Sequence, residues 1–314
     1  MAKRRRKVLL MAAMAAVIAA GAALFFIVGT TATKVAQEQL GDAAPPSGSP
    51  DTALFAPLAG RTLSADDLEQ VAGGFDQPHG IGFFDGTLYV SDWGDDKLYA
   101  VDPETGQKRL LADELGGAHD MVQDDEGWIV TPLFKEGRVV RINPDTGEVR
   151  ELTDGLDGPN GIARARDGNF YVSNNGGGTI IKLTPAGKHR TVARDLKEPA
   201  GLVVDNDNII RVAQFADEEA SVVQIFDNGK MSMVLGGLTD AESLLYDDRK
   251  NLLVGHVVDG RGALTLFTAA GERHQVLLTD LPGPLVGPVT DGEYLYLHSA
   301  AEGQSAIYRI VIPA

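Results

Sequence analysis

Cysteine is absent from this chain of 314 residues. That excludes disulfides, thiol nucleophiles, cysteine-ligated zinc and an N-terminal lipid-modified cysteine, and it leaves the redox character of the compartment open. Acidic residues are missing from the first 34 positions, where Lys3, Arg4, Arg5, Arg6, Lys7 and Lys34 supply six basic ones. Taking those six away from a formal net charge of −16 leaves −22 on the remainder. So acidic a body repels phosphate backbones, which argues against nucleic acid as a partner, and the same charge keeps the body soluble. With 44% hydrophobic and 23% charged residues the rest reads as a globular domain, and its 37 glycines point to frequent tight turns.

Charge is also absent from Val8 to Gly29. Twenty-two residues rising about 1.5 Å each span roughly 33 Å, enough to cross a hydrocarbon core of about 30 Å. A cleaved signal has a shorter apolar core, so the run reads as a retained anchor, although Thr31-Ala32-Thr33 and Val35-Ala36 leave cleavage conceivable. The basic cluster stays on the cytoplasmic side, which places the body outside. The expected organisation is a cytoplasmic tip over 1–7, a transmembrane helix over 8–29, a flexible linker over 30–65 containing GDAAPPSGSP, and one domain over 66–314.

What is present in that domain is a repeat. Related segments begin at Pro78, Ala118, Pro159, Pro199, Ala241 and Pro284, with spacings of 40, 41, 40, 42 and 43 residues. Each unit holds four short apolar runs, rich in β-branched and aromatic residues and parted by Asp-Gly-type turns; this is one four-stranded propeller blade. We label the strands A (after the Pro-x), B (the YVS-like run), C and D. The sixth unit lacks strand D, and LEQVAGGFDQP at Leu68–Pro78 aligns with VRELTDGLDGP at Val149–Pro159. The expected fold is therefore an all-β six-bladed β-propeller whose N-terminal strand closes the last blade.

The unit PxGI…DGxxYVSD resembles the gluconolactonase/regucalcin and strictosidine-synthase-like superfamily, and NHL-repeat propellers, over about 245 residues. The resemblance implies the fold; such propellers serve as enzymes and as binding modules. Gluconolactonase-like enzymes hold a metal with a Glu, an Asn from Pro-Asn-Gly and an Asp from Pro-Asp-Gly, all at strand-A starts. Pro159-Asn160-Gly161 matches the Asn motif, and Ala241-Glu242-Ser243 is similar to the Glu motif but two blades later. The Asp motif has become Pro199-Ala200-Gly201, which cannot ligate.

Because successive strands are antiparallel, starts of A and ends of B share one face. The A starts bring His79, His119, Asp120, Asn160, Ala200 and Glu242 to the central channel mouth. The B ends add Asp92, Asn174, Gln214, His256 and His298 as a substrate rim, with Trp93 from a B–C loop. Four of six histidines fall on this rim, while His189 and His274 lie in D strands. Such a ring suits one divalent cation: calcium or magnesium on oxygens, zinc or manganese where imidazole contributes. Glu242, Asn160, His119 and Asp120 are the expected ligands, with His79 or His119 as general base.

Other motifs carry less. Gly176-Gly177-Gly178 lacks a following helix and a lysine, and Ser91, Ser173 and Ser299 recur with the blade outside any nucleophile elbow. Two functions stay open, a metal-dependent hydrolase of lactones or esters and a non-catalytic propeller binding a small ligand or an envelope protein. A lyase or carbon–carbon-bond-forming role is a third.

Overall fold

Six antiparallel four-stranded sheets follow one another along the described chain, which comprises residues 55, 58, 60–215, 221–226, 228–247, 250–268, 274–281, 285–300 and 305–312 of a computed structural model. The expected tip and anchor lie outside the described residues; among those described, no helix is long and apolar enough to cross a membrane.

The first strand, β1 (Glu69–Gly73), precedes blade one, which is β2 (Pro78–Phe84), β3 (Thr87–Asp92), β4 (Lys97–Val101) and β5 (Lys108–Ala112). Blade two is β6 (Val122–Gln123), β7 (Ile129–Leu133), β8 (Arg138–Ile142) and β9 (Val149–Thr153). Blade three is β10 (Pro159–Arg164), β11 (Phe170–Asn174), β12 (Thr179–Leu183) and β13 (His189–Ala193). Blade four is β14 (Pro199–Val204), β15 (Ile210–Gln214), β16 (Val222–Ile225) and β17 (Met231–Leu235). Blade five is β18 (Thr239–Tyr246), β19 (Leu252–Val258), β20 (Arg261–Phe267) and β21 (His274–Leu281). Blade six is β22 (Leu285–Thr290), β23 (Tyr294–Ser299) and β24 (Ala306–Val311), completed by β1 in the order β1-β24-β23-β22. The closing strand is the one the repeat alignment predicts.

Blades cohere through their faces. Alternate residues of each strand point to opposite faces of the sheet, so every blade contributes to a cluster on either side. Ile129 and Val140 of blade two meet Tyr89 and Leu98 of blade one, while Val130 and Val139 meet Ile162 and Phe170 of blade three. The Pro-x-Gly repeat has a physical cause at the ring centre. A Cβ on Gly80 would lie 2.2 Å from the His119 carbonyl oxygen, and one on Gly201 would lie 2.4 Å from that of Glu242. Glycine there lets the innermost strands of adjacent blades close on one another.

The expected linker extends too far toward the body. Phe55, Leu58 and Leu63 are fully or nearly buried against Leu253, Leu278 and Leu281 of blade five and Leu297 and Ile310 of blade six. Leu63 bridges Leu278 in parallel, and the Gln275 side chain holds the Gly60 N–H and the Arg61 carbonyl. This segment is a strap on the outer edge of blade five. Its three apolar residues follow no blade period, which is why the repeat does not reveal it.

Candidate functional site at the channel mouth

A bulge aims the mouth residues. The register of strand A against strand B shifts just after the Pro-x position in β2 (Pro78/Gly80), β10 (Pro159/Ile162), β14 (Pro199/Leu202) and β18 (Thr239/Ser243). A bulge leaves a residue out of the ladder and re-aims its side chain. Buried hydroxyls hold the backbone at two of these bulges and at the equivalent place in blade two. Ser91 Oγ donates toward the Gly80 and His119 carbonyls at 3.2 and 3.0 Å, and Thr131 Oγ1 toward that of Asp120 at 2.9 Å. Ser173 Oγ accepts the Gly161 N–H at 2.7 Å. Ser91 and Ser173 thus hold the inner-strand backbone.

Blade two departs from the others. Its innermost strand is only Val122–Gln123, preceded by an isolated Ala118–Leu133 bridge. Pro132, on the partner strand, has no N–H to give, and its carbonyl alone accepts from His119 at 3.2 Å. His119 and Asp120 are thus released from regular pairing at the mouth.

The mouth groups gather closely. His79 Nδ1 faces Glu242 Oε1 at 4.0 Å, and the His79 and His119 ring centres are 4.8 Å apart. Among the described residues, His79 Nδ1 is buried with no hydrogen-bond partner. Burial first, then the charges of Asp120 and Asp240, push the Glu242 carboxyl up to about 8. Burial likewise raises Asp120 to about 7. Burial, reinforced by the Lys135 charge, lowers His79 to about 4. His119 is held well below the ordinary imidazole value by burial, then by His79, His298 and Lys135, and His298 by burial, then His79. Near neutral pH the mouth therefore holds uncharged imidazoles facing a protonated Glu242 carboxyl, because desolvation penalises every charged form.

The rim residues divide. Asp92 accepts the Asp76 and Gln77 N–H groups at 2.8 and 2.7 Å; Asn174 accepts that of Asp157, and Gln214 that of Lys197, each at 2.7 Å. These equivalent strand-B ends lie on the expected face, but their oxygens turn back to hold the D–A loops. His256 pairs through Nε2 with Thr265 Oγ1 at 2.7 Å, across strands inside blade five. Trp93 remains at the mouth, its ring centre 5.5 Å from that of His79. Lys135, which the repeat alignment does not single out, braces Trp93. Its Nζ lies 3.9 Å over the Trp93 ring and donates to the Trp93 carbonyl at 2.9 Å and to Asp96 at 2.7 Å. Trp93 and Phe134 sit one blade apart in equivalent loops, so the residue after Phe134 was the available signal.

Among the described residues no three His, Asp or Glu side chains are placed to hold a metal ion. His79 and Glu242 face each other as a pair, and Ala200 supplies only a methyl group at the position where the resemblance implies an Asp donor. A groove of about 450 Å³ lined by Thr87, Asp102, Glu104 and Lys108 lies in the hairpins of the opposite face of blade one and has no part in this site.

No protein-family model matches the chain, and no curated protein matches it in sequence. Solved structures do match in fold. A gluconolactonase from Xanthomonas campestris superimposes with a TM-score of 0.66 at 16% identity, over 78% of this chain and 89% of that one. The PQQ-bound aldose sugar dehydrogenase of Streptomyces coelicolor gives 0.63 at 16% identity, over 77% and 96%. A catalytically inactive histidine-to-alanine variant of virginiamycin B lyase from Staphylococcus aureus, with quinupristin, gives 0.57 at 14% identity, over 78% and 98%. The chain thus has the six-bladed propeller fold that gluconolactonase-like proteins and virginiamycin B lyase share.

Proposed function

We propose that the channel mouth is the active site of a hydrolase of lactones or related esters, working by acid–base catalysis through His79 and Glu242. The observation that carries this reading is the facing pair itself: an imidazole and a carboxyl 4.0 Å apart, both recessed and both shifted toward their uncharged forms. A neutral imidazole takes a proton from water as the water oxygen attacks the carbonyl carbon. A protonated carboxyl gives one to the departing alkoxide as the acyl–oxygen bond breaks. One water is consumed, an acid and an alcohol form, and the proton on His79 returns to Glu242. The Asn160 amide, at the start of β10, is suited to donate to the carbonyl oxygen as negative charge develops.

No step here passes through a metal, since the donor set that the resemblance implies is incomplete at Ala200. The test is a panel of lactones and esters with the full chain, in buffer with and without chelator. Hydrolysis with one solvent oxygen in the product, a loss of roughly 10²–10⁴ in kcat/KM for His79→Gln, and indifference to chelator are expected. Activity abolished by chelator and restored by calcium or zinc would return the metal-dependent reading. Products that are unsaturated and free of solvent oxygen would make the protein a lyase, a reaction supported by the fold match to a lyase that loses activity with one histidine.

The basic tip and the uncharged run 8–29 support an anchored body outside the cytoplasm. The full chain is expected to stay with membranes through carbonate extraction, its body open to protease added outside spheroplasts. A soluble species beginning near Val35 would show a cleaved signal instead.

A further inference from the structure

The mouth is lopsided. On blades one and two its wall is a run of rings, with Trp93 and His79 centres 5.5 Å apart, His79 and His119 4.8 Å, and His119 and Phe134 5.6 Å. Trp93 and Phe134 come from B–C loops and the two histidines from strand-A starts, so the run leads from the rim down to Glu242. Lys135 is no free cation for a ligand; it is held on Trp93 and Asp96 and fixes the indole. On the opposite arc Ala200 offers a methyl group and Asn160 an amide.

A polyhydroxylated ligand needs several polar side chains to replace its water. The candidates at the same height, Asp92, Asn174 and Gln214, commit their side-chain oxygens to backbone amides of the D–A loops. An apolar ring or acyl chain needs the opposite: a wide aromatic surface and a few polar groups at the reacting bond.

Resting on the reading of the mouth as a lactone- and ester-hydrolysing site, we propose that its substrate carries an apolar acyl or aryl group laid along Trp93, His79, His119 and Phe134, and is not a sugar lactone. Trp93 and Phe134 are then the residues that set specificity. They grip the group that does not react, so they act on KM, while His79 and Glu242 act on kcat.

The full chain is assayed with δ-decalactone, phenyl acetate and glucono-1,5-lactone. At least one apolar substrate is expected to exceed the sugar lactone by about 100-fold in kcat/KM, the scale of discrimination one pocket supplies through a few methylenes. Trp93→Ala and Phe134→Ala should each raise KM for that substrate roughly tenfold with kcat nearly unchanged, and Trp93→Phe and Phe134→Leu should restore most of it. Circular-dichroism melting confirms that each variant folds. A sugar lactone hydrolysed as well as the apolar ones, or a KM unmoved by both alanine variants, overturns the inference and leaves the hydrolase standing. If nothing is hydrolysed, binding of the lactam analogue of δ-decalactone is measured by calorimetry. Binding that Trp93→Ala abolishes keeps the ligand class and removes the hydrolase; no binding overturns both.

Discussion

Deleting Leu68–Phe75 from the full chain is expected to give protein that aggregates, or a soluble remnant without a cooperative melt. This stretch contains β1, whose pairing with β24 runs from Glu69–Arg309 to Gly73–Ala306 and completes blade six. Its loss leaves β24 as an open edge, a template for pairing with another chain. Ala72 and Phe75 also leave the cluster that joins Tyr296 and Ile307 of blade six to Val90 and Val101 of blade one. Removing a buried phenylalanine side chain alone costs about 3–5 kcal/mol, a large part of the 5–15 kcal/mol by which domains are stable. Arg309 also loses its two-pronged partner and keeps the Pro103 carbonyl and Glu104. Its guanidinium forms a two-pronged pair with Glu69, both bonds 2.9 Å, while lying 4.6 Å over the Tyr294 ring. Glu69→Gln, which keeps the strand and weakens only that exposed pair, is expected to melt close to the parent. Size-exclusion chromatography and thermal melting separate these outcomes. A deletion variant that stays monomeric and melts like the parent would mean that β1 does not hold the ring.

The closing strand was legible because it repeats: five other D strands supply its pattern. So was the face on which the mouth lies, since strand alternation alone decides it. What could not be read is whatever arises between blades or off the period. The glycines of the Pro-x-Gly units stand out in sequence, yet the reason for Gly80 and Gly201 is a backbone atom of the next blade, about 40 residues further on. Asp92, Asn174 and Gln214 lie at the strand-B ends the repeat indicates, but sequence cannot say whether an oxygen there faces a ligand or a neighbouring loop. Pro132, which takes their place in blade two, marks the position as a loop staple with the staple missing. Phe55, Leu58 and Leu63 were hidden in an expected linker because no repeat contains them. The pairing of His79 with Glu242 joins blades one and five around the ring, a contact that follows from closure of the circle and from no local pattern.

Glu242→Gln is expected to stabilise the protein at alkaline pH and to disable it at every pH. The folded state raises this carboxyl from 4.5 to about 8, chiefly by burial. Between those values the folded chain keeps a proton that the unfolded chain releases, so stability falls as pH rises across that window. Glutamine keeps the shape without the titration. The variant should match the parent below about pH 4.5 and exceed it above pH 8 by roughly 5 kcal/mol, at about 1.4 kcal/mol per pKa unit. For a body of this size that is a rise in Tm of about 10–20 °C. His79 gives the reverse slope: its folded value is lowered from 6.5 to about 4, so its neutral form costs stability as pH falls from 6.5 toward 4. The same two groups set the activity profile. kcat/KM should hold a plateau between about pH 4 and pH 8, failing on the acid side as His79 gains a proton and on the alkaline side as Glu242 loses one. In the variant the residual rate, lower by roughly 10²–10⁴, should lose its alkaline limb and keep the acid one. Thermal melts and rate profiles from pH 4 to 9 measure both effects on one pair of proteins. Equal alkaline stability with an intact alkaline limb would show that Glu242 is neither buried against its charge nor the acid of the reaction.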